Sequence, residues 1–399
     1  MRVCIAGKNE IAVRGLEYAL THLHTDQVLA CPNENDDGIS RWQPSLRRFA
    51  REWGVQLVSL TDLYERDDLV FISLEFDRIV RPNLFRSPRL FNIHFSKLPA
   101  YKGMYTVAWP ILNGEALSGV TLHKIDEGID TGDVIDQVDV RILPHYTARD
   151  LYFDCIEAAI SILQRNFASI LANRFTGTPQ AAEGSSYYSK SSINYRQLSL
   201  DLRNTAAFVT RQARAFHFRE FQIPEIQGLP VCNGRILDTR SRAGAGRLRR
   251  EGNDGIIVST VDFDVRFERD SSWDYFQLVA AADVAGIVNC QADRALIDVS
   301  NSQGMTPLLV ACREGMTSVV EALIRAGADP LRSNTEGSTP LMFAKDYGVR
   351  SGDYSVCRVL LDAGSDPLVP DRFGRTVLDY ARLNDERSAL HFLGATNDA

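Results

Sequence analysis

Apolar residues run continuously at the start of the chain, through Val3-Cys4-Ile5-Ala6, and predict a buried strand over residues 2–6. Gly7-Lys8-Asn9 then breaks the run, and a helical apolar spacing continues to about Leu20. A strand, a turn and a helix in that order fit a doubly wound α/β sheet. The same pattern predicts short strands at Gln27–Ala30 and Gln56–Val58, a buried one at Leu69–Ser73, and another at Arg89–His94. Gly119–Ile125 and Asp133–Val140 alternate with period two, so they are expected to pair across the Gly-rich loop between them. A long helix is expected over Ala148–Ala172. Tyr187–Ile223 reads as a mobile polar entry with a helix at Thr205–Ala215, and Leu229–Glu268 as short strands broken by Gly and Asn.

From Asp274 the period changes to that of an internal repeat. Gly304-Met305-Thr306-Pro307-Leu308 returns 33 residues later as Gly337-Ser338-Thr339-Pro340-Leu341, and weakly as Gly374-Arg375-Thr376-Val377-Leu378. The ending Ala326-Gly327-Ala328-Asp329-Pro330 returns in phase as Ala363-Gly364-Ser365-Asp366-Pro367, with four extra residues around Val349–Asp353. A TPL opening and a glycine ending at this period resemble the ankyrin repeat. The weaker units before Ser302 and after Asp371 fit terminal caps.

A length of 399 residues suggests two or three domains. The net charge of −7 is uneven: from Asp274 onward there are 17 acidic and 11 basic residues. The first two-thirds is therefore almost neutral. Its one basic run, Arg235 to Arg250, reads as a solvated hairpin face and is too little for nucleic acid. No apolar stretch approaches 18 residues, and the start does not read as a signal peptide. Seven scattered cysteines, none at zinc spacing, suggest buried free thiols in a reducing cytoplasm and no metal site.

The candidate chemistry sits at the end of the fifth expected strand, Arg89–His94. Asn92 and His94 are two residues apart, so a strand projects both from one face. Asp130, on the loop Asp130-Thr131-Gly132-Asp133, offers a carboxylate to orient the imidazole. An amide, an imidazole and a carboxylate, with no serine or cysteine nucleophile, suit acyl transfer to an amine. His94 would take the amine proton, and Asn92 would offer an N–H to the oxyanion. His123 fits a core or a substrate-facing position equally well, and Asp126 and Asp133 are expected to tie the loop by local hydrogen bonds. Lys8 and Asn9 fit either a simple turn or contact with a substrate.

The three segments NIHFSKLPAYKG, SGVTLHKI and DEGIDTGD resemble, in order and spacing, the catalytic region of folate-dependent formyltransferases over roughly the first 180 residues. With the ankyrin-like tail, the chain resembles the N-formyltransferases of dTDP-linked amino-dideoxy sugars. The resemblance implies an α/β fold: a Rossmann-like formyltransferase domain at 1–182, a linker helix and small β-rich subdomain with a dimer contact at 183–272, and an α-helical ankyrin-repeat domain at 273–399. It implies 10-formyltetrahydrofolate as cosubstrate, its pterin held by Leu74, Glu75 and Phe76 with Ile125, Gly128 and Asp130. Lys8, Asn9, Lys102, Tyr187, Lys190, Tyr195, Arg211 and Arg214 are the candidates for the sugar nucleotide, with Tyr188 and Arg196 beside them. Products of such enzymes enter O-antigen and other surface glycans, and ankyrin-bearing members point to a 3-amino-3,6-dideoxyhexose.

Two enzymes share these motifs. A methionyl-tRNA formyltransferase needs a basic surface, against which the acidic tail argues. A UDP-aminoarabinose formyltransferase continues into a dehydrogenase domain that is not seen here. An ankyrin interaction protein with a degenerate enzyme domain is the reading from another class, opposed by the intact Asn92, His94 and Asp130.

Overall fold

The computed structural model describes residues 1–195, 198–251, 255–289 and 296–394. They form two compact units, one of Met1–Ile39 with Ser45–Asp270, the other of Ser271–Ala399 with the short segment Ser40–Pro44.

The first unit is built on a seven-stranded sheet. Its strands are β1 (Arg2–Gly7), β2 (Val28–Pro32), β3 (Gln56–Leu57), β4 (Leu69–Leu74), β5 (Leu90–His94), and, after the two-residue β6 (Lys102–Gly103), β7 (Leu117–Lys124) and β8 (Val134–Arg141). The order is β3-β2-β1-β4-β5-β7-β8. The first five are parallel, β7 runs antiparallel to β5, and β8 runs antiparallel to β7. Strands β1 and β4 are almost continuously apolar because both their faces are covered. Ile5 faces the helices α1 (Asn9–Leu20) and α4 (Ala148–Leu171) near Gly15 and Leu163. On the opposite face Cys4, Ala6, Phe71 and Leu90 pack with Leu60, Leu63 and Val80 from the loops. Chain order reverses between β1 and β4, and open α/β sheets hold ligands outside the carboxyl ends at such a point. Gly7 closes β1 against Leu74, whose carbonyl oxygen would lie 1.7 Å from an added Cβ.

The expected pairing of the two period-two segments is present as the β7–β8 hairpin. The polar entry expected at Tyr187 contains a short strand. Tyr187–Tyr188, strand β9, pairs in parallel with β6. Two-residue strands carry no periodicity, so nothing in the sequence marked them. Helices α2 (Leu46–Glu52) and α3 (Trp109–Asn113) precede α4, and α5 (Ala206–Phe216) follows it, with Thr205 accepting from the Phe208 N–H as its N-cap. Strands β10 (Glu225–Ile226), β11 (Leu229–Arg240), β12 (Leu248–Glu251), β13 (Gly255–Ser259) and β14 (Phe263–Arg269) make a second, antiparallel sheet. The 12-residue β11 is longer than the broken run suggested.

The second unit is helical, from α6 (Ser272–Ala280) and α7 (Val284–Asn289) through α8 (Pro307–Arg313), α9 (Thr317–Ala326), α10 (Pro340–Ser351) and α11 (Ser355–Asp362) to α12 (Val377–Leu383) and α13 (Arg387–Phe392). The repeated Thr-Pro is an N-cap followed by proline at the first helical position: Thr306 accepts from Leu309 N–H and Thr339 from Met342 N–H. Each turn before it is closed the same way. Oδ1 of Asn301, Asn334 and Asp371 accepts from backbone N–H groups two and four residues on. The extra residues of the second repeat lengthen α10 to 12 residues, against seven in α8. Leu308, Val319, Leu323, Leu341, Val356 and Leu360 form one continuous core along the stack.

No helix among the described residues is long and apolar enough to cross a membrane. No group of three His, Cys, Asp or Glu among them is placed to hold a metal ion.

Candidate active site

Alternation along β5 sends Leu90, Asn92 and His94 to the sheet face away from α1 and α4. The antiparallel register puts Asn92 opposite His123 and His94 opposite Thr121, so the two strands present their polar residues to the same face. Asp130 reaches this cluster from the β7–β8 loop. Its Oδ2 lies 3.6 Å from His94 Nδ1, and its Oδ1 lies 3.6 Å from His123 Nε2. Asn92 Nδ2 donates to Asp130 Oδ1 over 3.3 Å and lies 3.1 Å from His123 Nε2. The Gly103 N–H adds a donor to Asp130 Oδ2 at 2.9 Å.

Asp130 is an anion by design of its surroundings. Burial pushes its carboxyl up, but the positive field of His94, together with His123 and the Gly103 N–H, holds it well below the usual carboxylate range. His94 Nε2 meets the Tyr101 carbonyl at 2.9 Å. The imidazolium form of His94 thus has an acceptor opposite each N–H: Asp130 on one side, Tyr101 on the other. Tyr101 (φ +59°) and Asp130 (φ +54°) both adopt left-handed backbone, a strained conformation that recurs at working sites. Gln180 braces the loop by donating to the carbonyls of Asp130 at 2.9 Å and Gly132 at 2.8 Å. Thr121 braces the opposite loop, donating to the Ser96 carbonyl at 2.7 Å and accepting from the Leu98 N–H at 3.1 Å. Asp126 accepts from the Gly128 N–H and the Thr131 hydroxyl, tying the loop locally.

The remaining candidates divide. Leu74 ends β4, and Glu75 follows with φ +57°. Phe76 and Ile125 flank the same apolar cluster. Asn9 donates to Glu75 Oε2 at 3.0 Å, and Tyr152 donates to the same oxygen at 2.8 Å. Burial raises the Glu75 carboxyl, with Tyr152, Asn9 and the charge of Lys8 opposing it. Lys102 is buried with Nζ 3.2 Å from Ser185 Oγ. Tyr187 is exposed, whereas Tyr188 stacks on Trp109 at 4.0 Å. The Lys190 carbonyl accepts from Tyr105. Tyr195 packs between Tyr105 and Phe216. Arg211 donates to the Asn113 carbonyl and Arg214 to the Tyr146 carbonyl, so both guanidinium groups have structural partners here. Burial, with Arg211 nearby, also lowers the pKa of Arg214. Arg196 lies outside the described residues. A cavity of about 310 Å³ opens beside this group, lined by Trp109, Leu112, Ile193, Phe208 and Phe216 with Asn113 and Gln212. Sequence reasoning places Gly103 with Lys102 on a loop that shapes the sugar side, and it does not single out Tyr101 or Gln180. Tyr101 and Gly103 act here through backbone, and Gln180 lies in no motif.

The Formyl transferase family matches residues 46–166, and Ankyrin repeats (3 copies) match residues 277–371. Methionyl-tRNA formyltransferases of Synechococcus sp. (strain JA-3-3Ab) and Bordetella petrii are 29% and 31% identical over 181 and 173 residues, covering 45% and 42% of this chain. The match spans about half the length of these curated relatives, 54% and 53%. Two crystal structures are more similar. WlaRD, a sugar 3N-formyl transferase in the presence of dTDP and 5-N-formyl-THF, is 40% identical, covering 67% of this chain and 97% of its own, with a TM-score of 0.63. The N-formyltransferase from Helicobacter canadensis, in complex with folinic acid and dTDP-3-aminofucose, is 39% identical over 68% of this chain and 100% of its own, with a TM-score of 0.63. Identity at this level across nearly the whole of both proteins means that the chain belongs to the sugar N-formyltransferases.

Proposed function

We propose that this chain transfers a formyl group from 10-formyltetrahydrofolate to the amine of a dTDP-linked 3-amino-3,6-dideoxyhexose. The observation that carries the reading is the Asn92–His94–Asp130 cluster, set in a chain 40% identical to a sugar 3N-formyl transferase. The folate supplies the formyl carbon. Leu74, Glu75 and Phe76 with Ile125, Gly128 and Asp130 are the residues to hold it, and the apolar flank at Phe76 and Ile125 fits an uncharged ring.

The sugar amine is the nucleophile, so its lone pair forms the new C–N bond and no enzyme ester is needed. His94 removes the proton that this nitrogen must lose and returns it to the departing folate nitrogen, leaving a formamide and tetrahydrofolate. While it carries the proton, His94 is a cation balanced by Asp130, and it offsets negative charge developing on the formyl oxygen. We also assign Lys8, Asn9, Lys102, Tyr187, Lys190 and Tyr195 to the sugar-nucleotide side. Arg211 and Arg214 join them only if their carbonyl partners are exchanged for phosphate. The product is assigned to O-antigen or another surface glycan, made in the cytoplasm by a homodimer that pairs through residues 183–272.

Absorbance-monitored turnover of 10-formyltetrahydrofolate with the C3- and C4-amino isomers, in gluco and galacto forms, tests this directly. The 3-amino sugars should turn over, and methionyl-tRNA should not. His94→Asn should lower kcat by about 10²- to 10⁴-fold with nucleotide binding retained. Folded protein that turns over none of the four sugars would remove the reading, and near-normal kcat in the variant would remove His94 as base.

A further inference from the structure

We infer that Ser186 is a positioning residue that holds the Tyr101 carbonyl against His94, an inference that rests on the formyl-transfer reading. Two peptide planes meet at Tyr101, and Ser186 binds the N–H of each. Its Oγ accepts from the Tyr101 N–H at 2.8 Å, and its carbonyl oxygen accepts from the Lys102 N–H at 2.9 Å. The Lys102 N–H and the Tyr101 C=O belong to one planar unit and point in opposite directions from it. Anchoring the N–H on Ser186 therefore aims the carbonyl the other way, where His94 Nε2 lies 2.9 Å off. The two bonds also explain how Tyr101 keeps φ +59°, a left-handed conformation that a tyrosine holds only where its surroundings fix it. Ser186 is itself tied back by its N–H to the Pro99 carbonyl at 3.3 Å. The Tyr101 side chain is anchored separately: its ring stacks on Tyr188, and its hydroxyl donates to Glu115 and accepts from Asn113.

A carbonyl oxygen only accepts, so the Nε2 that meets it carries a proton. A bare Nδ1 would set its lone pair against the Asp130 carboxylate 3.6 Å away, so the contact belongs to the charged ring. That is the form His94 takes once it has the amine proton. A charged donor makes the stronger hydrogen bond, so the carbonyl favours proton uptake by the ring. Nε2 takes the proton from the amine, and the Tyr101 carbonyl holds the new N–H in place while the C–N bond forms. The departing folate nitrogen then receives that proton. The Asn92 amide stays with the formyl oxygen throughout. The same ribbon serves the carboxylate. Lys102–Gly103 pairs with Tyr187–Tyr188, and the Gly103 N–H donates to Asp130 Oδ2 at 2.9 Å. Gly103 (φ +88°) passes Tyr188 so closely that an added Cβ would lie 2.2 Å from its carbonyl oxygen. Segment 186–188 thus sets an acceptor on the imidazole and a donor on the carboxylate, which favours the charged state of both.

A kinetic series with an independent spectroscopic reading tests this. Ser186→Ala removes one hydroxyl and leaves the backbone contacts. It should lower kcat by about 10-fold, the scale of one hydrogen bond, with both KM values within about threefold. Ser186→Thr, which restores the hydroxyl, should recover most of kcat. On a His94→Asn background, adding Ser186→Ala should change single-turnover formyl transfer by less than about twofold, because residues that act as one unit are not additive. Wild-type kcat in Ser186→Ala, an equal loss in Ser186→Thr, or multiplicative losses with His94→Asn would overturn the inference. So would a raised KM for the sugar nucleotide at unchanged kcat, which would make Ser186 a substrate contact. Circular dichroism checks that each variant is folded. Imidazole ¹⁵N spectra, taken at a pH low enough to charge His94, should show its Nε2 resonance shifted in Ser186→Ala and restored in Ser186→Thr. A resonance that Ser186→Ala leaves in place would overturn the inference whatever the acceptor. A wild-type protein without turnover would remove the functional reading, while the spectra still decide the contact.

Discussion

At the residue scale, one carboxylate organises the site. Asp130 gathers two imidazoles, an amide and a backbone N–H, and its folded pKa is depressed relative to an ordinary aspartate. A depressed carboxyl stabilises the fold above its unfolded pKa, about 4, and that contribution is lost as pH falls through the lower folded value. The wild type should therefore melt above Asp130→Asn at neutral pH, with the gap closing steadily below about pH 4. Melting temperatures of both proteins from pH 7 down to pH 2 check this, and a gap constant across that range would contradict it. The i, i+2 spacing made Asn92 and His94 legible in the sequence, and the DTGD loop did so for Asp130. The sequence leaves the place of His123 open because it depends on strand register: neither strand alone says that it stands opposite Asn92. Tyr101 and Gly103 act through a carbonyl and an N–H, groups that every residue type carries.

At the element scale, legibility followed the strength of the periodicity. The TPL repeats predicted helix starts that the structure caps with the same threonines, and the apolar runs predicted β1, β4 and β5. The β6–β9 pairing was invisible because it needs only two residues from each strand. The β7–β8 loop is where element and chemistry meet. Its Gly132 packs against the Lys124 carbonyl, with backbone rather than a yielding side chain as the obstacle. Gly132→Ala must push the loop away or strain it, and overpacking of this kind costs about 1–3 kcal/mol. Because Asp130 rides on that loop, kcat should fall by about 100-fold or more, beyond the stability loss, as geometry degrades. Thermal melting read beside kcat separates the two effects. An alanine variant with wild-type kcat and melting temperature would show that the approach is not constrained.

At the scale of the whole molecule, the chemistry and the repeats belong to separate compact units. Asn92, His94, Asp130, His123 and the loops that brace them all fall in the unit that ends at Asp270. That unit has its own buried core, including Ile5, Leu29, Phe71, Phe91 and Phe167, and the repeats have another. An ankyrin stack is stabilised by contacts between neighbouring repeats, so its core does not depend on the catalytic sheet. The acidic balance beyond Asp274 also places most of the net charge of −7 on the repeats. A chain truncated after Asp270 should keep kcat within about threefold of the full protein while its solubility or assembly changes, because no transition-state interaction is removed. Circular dichroism establishes that the truncated protein is folded, and steady-state turnover at saturating folate and sugar nucleotide reads the chemistry. If a folded, stable truncation loses turnover entirely, the repeats contribute to the site itself. If kcat holds but KM for the sugar nucleotide rises, the repeats act on substrate capture and leave the formyl-transfer step to Asn92, His94 and Asp130.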